Sequence, residues 1–161
     1  MARDFDVKVT MTGFDKIGPK FNGLAQDMKY TSARWGLRKA TNYLMDRVRT
    51  NAQQLDDPKT GRSIAANVNG RWSNRTFKAS GGNTLMFRIG IAGTANTHTD
   101  PDNKDQGAKG PTPHWRLLEF GTQFMAAQPF FRPGVENNLQ GATDEFCSEL
   151  NKSIERQLAK P

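Results

Sequence analysis

His114-Trp-Arg-Leu-Leu-Glu-Phe-Gly-Thr-Gln-Phe-Met-Ala-Ala-Gln-Pro-Phe-Phe-Arg-Pro-Gly-Val-Glu136 sets one acid between apolar residues, then a Gly-Thr turn, an aromatic pair and two prolines. Glu119, flanked by Leu118 and Phe120, reads as a buried carboxylate. Such a group needs an arginine or the backbone N–H groups of a following turn to offset the cost of its burial. Gly121 suits a positive φ angle, and the Thr122 hydroxyl suits a turn hydrogen bond. The stretch therefore reads as a rigid corner and not as an active site. Glu119, Gly121, Thr122, Pro129, Phe130 and Pro133 are its expected anchors, and it holds a sheet against a long final helix.

Downstream, Val135, Leu139, Ala142, Phe146, Leu150, Ile154 and Leu158 step by three and four, which predicts that helix, weakened at Gly141. Cys147 falls in its apolar rhythm and reads as a small core residue; as the one cysteine it rules out an internal disulfide. Upstream, residues 93–113 are Gly, Thr, Asn, Asp, Pro and Lys with almost no apolar side chains. They form a long polar loop of a kind that is usually functional or ordered by a partner. Before it, Leu85, Phe87, Ile89 and Ile91 line one strand face, and Ile64, Ala66, Val68 and Trp72 keep one parity. Residues 63–92 thus predict an antiparallel pair with a wide connection, reversing at Gly81-Gly82-Asn83.

In the first third, Phe5, Val7, Val9 and Met11 alternate with polar residues as a half-buried strand. Phe14, Ile17, Phe21, Leu24 and Met28 recur at helical spacing, with the regular helix expected from Pro19. A second helix is expected from Thr31 or Ser32, with Leu37, Ala40, Leu44, Val48 and Ala52 on one stripe and Thr41 and Met45 beside it. Leu55 to Ser63 is turn chemistry around Asp57-Pro58 and Thr60-Gly61. The expected fold is α+β in one domain, residues 1–161. It has an N-terminal strand, two early helices and an antiparallel sheet of about three to five strands packed against the long C-terminal helix.

The chain has 161 residues and a formal net charge of +7, with a pI near 9.8. That charge favours DNA, RNA, an anionic membrane or an acidic protein as partner, and fits a merely solvated basic surface equally well. Candidate partner-facing or DNA-facing residues are Arg34, Arg38, Lys39, Arg47 and Arg49 on the second helix and Arg71, Arg75, Lys78 and Arg88 around the sheet. The last four interleave with Trp72 and Phe77, which read as core aromatics of an amphipathic hairpin. Phosphate contact needs only charge and position, and no sequence-reading module is apparent. Hydrophobic residues make up 35% of the chain and mean hydropathy is −0.73. Both are low for a compact monomer, and exposed loops or a core completed by neighbouring subunits would account for them. No signal-like apolar region and no membrane span is apparent.

Catalytic and metal chemistry find little footing. Asp100-Pro-Asp-Asn-Lys-Asp105 begins like a calcium loop, then places Lys104, Asp105 and Pro111 where a ligand, a glycine and an acid belong. His98 and His114 lack zinc spacing. No nucleophile elbow, phosphate-cradling loop or dinucleotide fingerprint occurs. A hydrolase using Glu119 and the Asp100–Asp105 loop would have to show metal-dependent cleavage. No catalytic residue, metal or cofactor is expected.

Three elements in order carry a resemblance. Pro58-Lys-Thr-Gly-Arg-Ser-Ile64 follows a long early helix; Trp115-Arg-Leu-Leu-Glu-Phe-Gly-Thr122 is an aromatic-x-x-apolar-Glu-x-Gly-Thr element; Ala127-Gln-Pro-Phe-Phe-Arg-Pro133 is a Pro-Phe-apolar-x-Pro element opening the last helix. Across about residues 14–160 the chain resembles the small neck or tail-completion (head–tail joining) proteins of long-tailed bacteriophages, often described only as phage tail components. It departs from them at His114-Trp115, where Tyr-Ala is usual, and in the length of loop 93–113. The resemblance implies a non-enzymatic virion protein, made in the host bacterial cytoplasm and residing in the phage neck. Such a protein forms a homo-oligomeric ring, of about six copies, by heterologous contacts. Its partners would be a head connector or stopper protein on one side and a tail tube or tail terminator protein on the other. Double-stranded DNA would pass through the channel without sequence recognition, and no membrane would be involved. The alternative reading is a sequence-independent DNA-binding protein.

Overall fold

The computed structural model describes residues 14–22, 26–56, 63–91 and 112–159. The chain is mixed helix and strand. In order it forms α1 (Phe14–Asn22), α2 (Gln26–Gln53), a 3-10 turn (Ala65–Asn67), β1 (Val68–Trp72), α3 (Asn74–Ala79), β2 (Phe87–Ile91), α4 (Trp115–Phe120), α5 (Phe131–Glu136) and α6 (Leu139–Leu158). Among the described residues the sheet is a single antiparallel pair, not the expected three to five strands. The alternating run at Phe5–Met11, loop 93–113 except for its last two residues, and most of Pro58–Ile64 lie outside the described residues.

The axis of the molecule is α2, 28 residues long and therefore about 42 Å. Ala40, Thr41, Val48 and Ala52 are buried along it as the stripe predicts, joined by Ser32 and Gly36. Its beginning lies five residues before the expected Thr31. Ser32 does not cap the helix; its hydroxyl instead accepts a buried hydrogen bond from Ser153 on α6 at 3.2 Å. At Gly36 the two helices meet: a Cβ there would stand 3.1 Å from the carbonyl oxygen of Phe146. The N-terminal half of α2 thus borders a cluster of Ile17, Cys147, Leu150 and Ile154. Its C-terminal half carries the larger core of Val48, Ala52, Ile64, Ala65, Val68 and Phe130.

Three local expectations are corrected. The first helix does not wait for Pro19; it starts at Phe14 with Pro19 inside it, and the burial of Ile17 against α6 supports the turn before the proline. Ile64 and Ala66 do not continue the strand. Asp56 accepts hydrogen bonds from the Ser63 hydroxyl (2.5 Å) and the Ile64 N–H (2.7 Å), winding residues 65–67 into the 3-10 turn so that Ile64 and Ala65 are both buried. The final helix is two: Asn138 interrupts it, its side-chain amide donating to the Gly134 carbonyl at 3.0 Å. Gly141 is less a weak point than a close approach, since a Cβ there would lie 2.5 Å from the Tyr43 hydroxyl.

The strands pair Val68 with Ile91 through Trp72 with Phe87. The wide connection between them contains α3 and reverses at Gly81 and Gly82, both at positive φ. Cys147 is buried as expected, and burial first, then the nearby Asp144, raises its thiol pKa.

Candidate functional site

The corner is built around Glu119; the sheet it was expected to hold against the final helix packs on α2 instead, as α6 does. α4 ends at Gly121, whose φ of 72° and ψ of 178° belong to a region that side chains other than glycine's essentially avoid. A Cβ there would meet the backbone of Ala127 at 2.8 Å and of Met125 at 2.9 Å. Thr122 and Met125 then exchange backbone hydrogen bonds of 2.9 and 3.3 Å, and the Thr122 hydroxyl accepts the Phe124 N–H at 3.2 Å. The chain runs back past α4, the Gln128 N–H donating to the Leu118 carbonyl at 2.8 Å. It then delivers Pro129, exposed, and Phe130, which is buried in the larger core.

Phe130 opens α5, and here Glu119 meets its partners. One carboxylate oxygen accepts the N–H groups of Phe130 and Phe131, both at 2.9 Å. The other accepts the Arg132 N–H at 3.1 Å and its side-chain Nε at 3.3 Å. A helix leaves its first-turn N–H groups without internal partners. Glu119 takes those of the first three residues of this turn, and Pro133 has none to leave. The carboxylate is 1% exposed and its four acceptor positions are filled. Burial alone would raise its pKa. The N–H groups of Phe131, Phe130 and Arg132 and the Arg132 side chain outweigh that and hold it below the ordinary glutamate range. A general base needs a lone pair within reach of a substrate proton; Glu119 has none to offer and acts as the cap of α5.

The outer side of the corner is different in character. Phe124, at the tip of the Thr122–Met125 turn, is 89% exposed, Phe120 is 64% and Leu117 is 52%. Arg132 lies over the Phe120 ring, 5.5 Å from its centre. Single exposed apolar residues are ordinary; here three large ones fall between Leu117 and Phe124. Sequence reasoning missed this face, although the Leu117–Phe120 spacing of three, beside the inward Leu118 and Glu119, carried the signal.

The nine basic candidates do not form one surface. Arg49 is partly engaged within the fold, bonding the Val68 carbonyl at 2.9 Å and Asp46 at 3.0 Å. Arg47 stacks on Tyr43 and Lys39 on Trp35. Arg71 and Arg88 stand directly opposite each other across the two strands, exposed, with Arg75 and Lys78 exposed on the adjoining α3. Arg34 and Arg38 lie elsewhere, in a cleft of about 530 Å³ between α2, the sheet and α6. The other residue of β1 that lines this cleft with Trp72 is Gly70, so Arg71, of opposite parity, faces the other side. Trp72 and Phe77, expected as core, are half-buried in a cluster with Phe87 and Tyr30.

No group of three or more His, Cys, Asp or Glu side chains capable of holding a metal stands among the described residues, and none of their helices is long and apolar enough to cross a membrane. The chain matches no protein-family model, no curated protein and no solved structure.

Proposed function

We propose that the chain is a non-enzymatic subunit of the neck of a long-tailed bacteriophage, closing a homo-oligomeric ring that completes the tail and joins it to the head connector around a DNA channel. What supports this most is the corner. Its acid is consumed in capping α5, its glycine and prolines stiffen it, and its outer face presents Phe124, Phe120 and Leu117 to solvent. That is how a subunit is built to be touched by a neighbour. The three ordered sequence elements around it supply the resemblance to the neck proteins. Basic side chains on separate faces fit a protein that meets DNA on one side and partner proteins on others.

The test is the mass of the purified chain in solution by light scattering, followed by imaging of the virion neck. A closed ring, found at the head–tail junction, is expected. A strict monomer that never enters particles refutes the proposal.

A second reading, sequence-independent DNA binding by the free chain, draws on the Arg71–Arg88 pair. Like charges directly opposite on a two-stranded ribbon are unfavourable, and a phosphate between them would remove the repulsion. Steep salt dependence of tight duplex binding by the monomer would favour this second reading.

A further inference from the structure

The cleft that holds Arg34 and Arg38 is lined by Tyr30, Trp72 and Phe87 and closed from α6 by Arg156. The Arg34 guanidinium carbon lies 4.8 Å from the centre of the Trp72 ring and 5.8 Å from that of Tyr30, and one of its N–H groups donates to the Tyr30 hydroxyl at 3.2 Å. Arg156 lies over Trp35 at 5.5 Å. Among the described residues no Asp or Glu lines the cleft, and their ion pairs leave these three guanidiniums out. Arg34 and Arg156, held against rings, lose little further freedom on binding; one Arg34 N–H goes to Tyr30 and the Arg156 Nε–H to the Lys152 carbonyl at 3.2 Å, which leaves their other N–H groups, and the exposed Arg38 beside them, for a carboxylate. The cleft is therefore a preorganised receptor for paired anionic oxygens.

A polynucleotide fits it less well. The π-faces that bases would stack on are already partly taken by Arg34 and Arg156. The basic residues that would carry a backbone onward, Arg71 and Arg88, belong to the opposite face of the sheet.

The chain itself contains a segment of fitting chemistry. Asp4-Phe5-Asp6 places two carboxylates around an aromatic residue, shortly before α1. Side chains two apart in an extended segment point to the same side about 7 Å apart; side chains four apart on a helix, as Arg34 and Arg38 are, stand about 6 Å apart. We propose that the Asp4–Asp6 segment of a neighbouring copy docks in this cleft, its two carboxylates on the guanidiniums of Arg34 and Arg38. This is a heterologous contact, one surface of a copy meeting a different surface of the next, which a closed ring requires. The inference rests on the ring reading above and names one of its contacts.

Charge reversal tests it. At matched concentration the chain carrying Arg34→Glu and Arg38→Glu, and separately the chain carrying Asp4→Arg and Asp6→Arg, should fall from ring mass to monomer mass in light scattering. All four replacements together should restore the ring. Unchanged far-ultraviolet circular dichroism of the variants would show that each still folds, since loss of the ring by itself lowers the urea midpoint. Ring mass retained by both double variants, or no restoration in the fourfold variant, overturns the proposal while leaving the ring itself standing. A lowered urea midpoint at unchanged ring mass would place the segment in its own chain's cleft and also overturn it. So would a labelled twenty-base oligo(dT) whose binding is lost in the Arg34→Glu, Arg38→Glu chain while ring mass stays. A wild-type chain that is monomeric at every concentration refutes the ring reading instead.

Discussion

Glu119→Gln is the substitution that separates a cap from a base. The amide keeps the size of the carboxylate but replaces one oxygen by an NH2. If that NH2 takes the place facing Phe130 and Phe131, two N–H acceptances are lost; in the other orientation the two from Arg132 are lost. Either way two donors at the start of α5 face another donor. At about 1–3 kcal/mol for each buried group left unsatisfied, the expected loss is roughly 2–6 kcal/mol. That is a large part of the roughly 5–15 kcal/mol by which a domain is held. In urea, with a slope of about 2 kcal/mol per molar, a loss near the middle of that range moves the midpoint down by about 2 M. The effect also has a pH signature. The Glu119 pKa is lowered on folding, so its ionised form contributes stability fully above the unfolded value of about 4.3. That contribution fades as pH falls through the lower folded value. Glutamine does not titrate, so the gap between the two proteins should be constant from pH 7 to about pH 5 and narrow below about pH 4. A midpoint shift worth under 1 kcal/mol, or a gap of equal size at pH 3 and pH 7, would refute the capping account.

Arg132→Met should cost about 1 kcal/mol or less in the same urea assay, because the ion pair is 3.3 Å long with its arginine side chain 45% exposed and the three backbone donors remain. Gly121→Ala should cost about 3 kcal/mol or more, measured as a thermal midpoint, since it adds a Cβ against fixed backbone at 2.8 and 2.9 Å to a φ/ψ strain of about 1–3 kcal/mol. Gly36→Ala should cost about 1–3 kcal/mol by overpacking the crossing of α2 and α6, visible as a lowered urea midpoint. Phe124→Glu should leave the far-ultraviolet circular dichroism unchanged, the side chain being 89% exposed, yet reduce the mass in solution; an unchanged mass would remove this face from the proposed ring contact.

The corner was readable in the sequence because its requirements are local and chemically narrow. An acid between apolar residues must find donors, and a proline-rich aromatic turn eleven residues later supplies them. The stripes of α2 and α6 were readable for a related reason: burial imposes a period that many residues share. What the sequence hid depends on contacts between distant residues. Ser32 reads as a helix start because serine caps helices, until Ser153, 121 residues away, uses its hydroxyl instead. Gly141 reads as a flaw in a helix, until Tyr43 occupies the space its missing side chain leaves. Ile64 and Ala66 keep strand parity, and only the two oxygens of Asp56 turn that backbone into a 3-10 turn.

The same distinction explains the basic residues. Counting them shows a charge, but the register of two strands and the packing of α6 on α2 divide that charge into separate surfaces. Arg71 joins Arg88 because β1 pairs with β2 in this register. Arg34 and Arg38 gain Arg156 because α6 lies along α2. A single track of cations would suit a polyanion of any length, whereas separate groups suit separate partners. The proposed ring subunit, meeting its neighbours, the structures above and below it and the DNA within, would need such a division of charge.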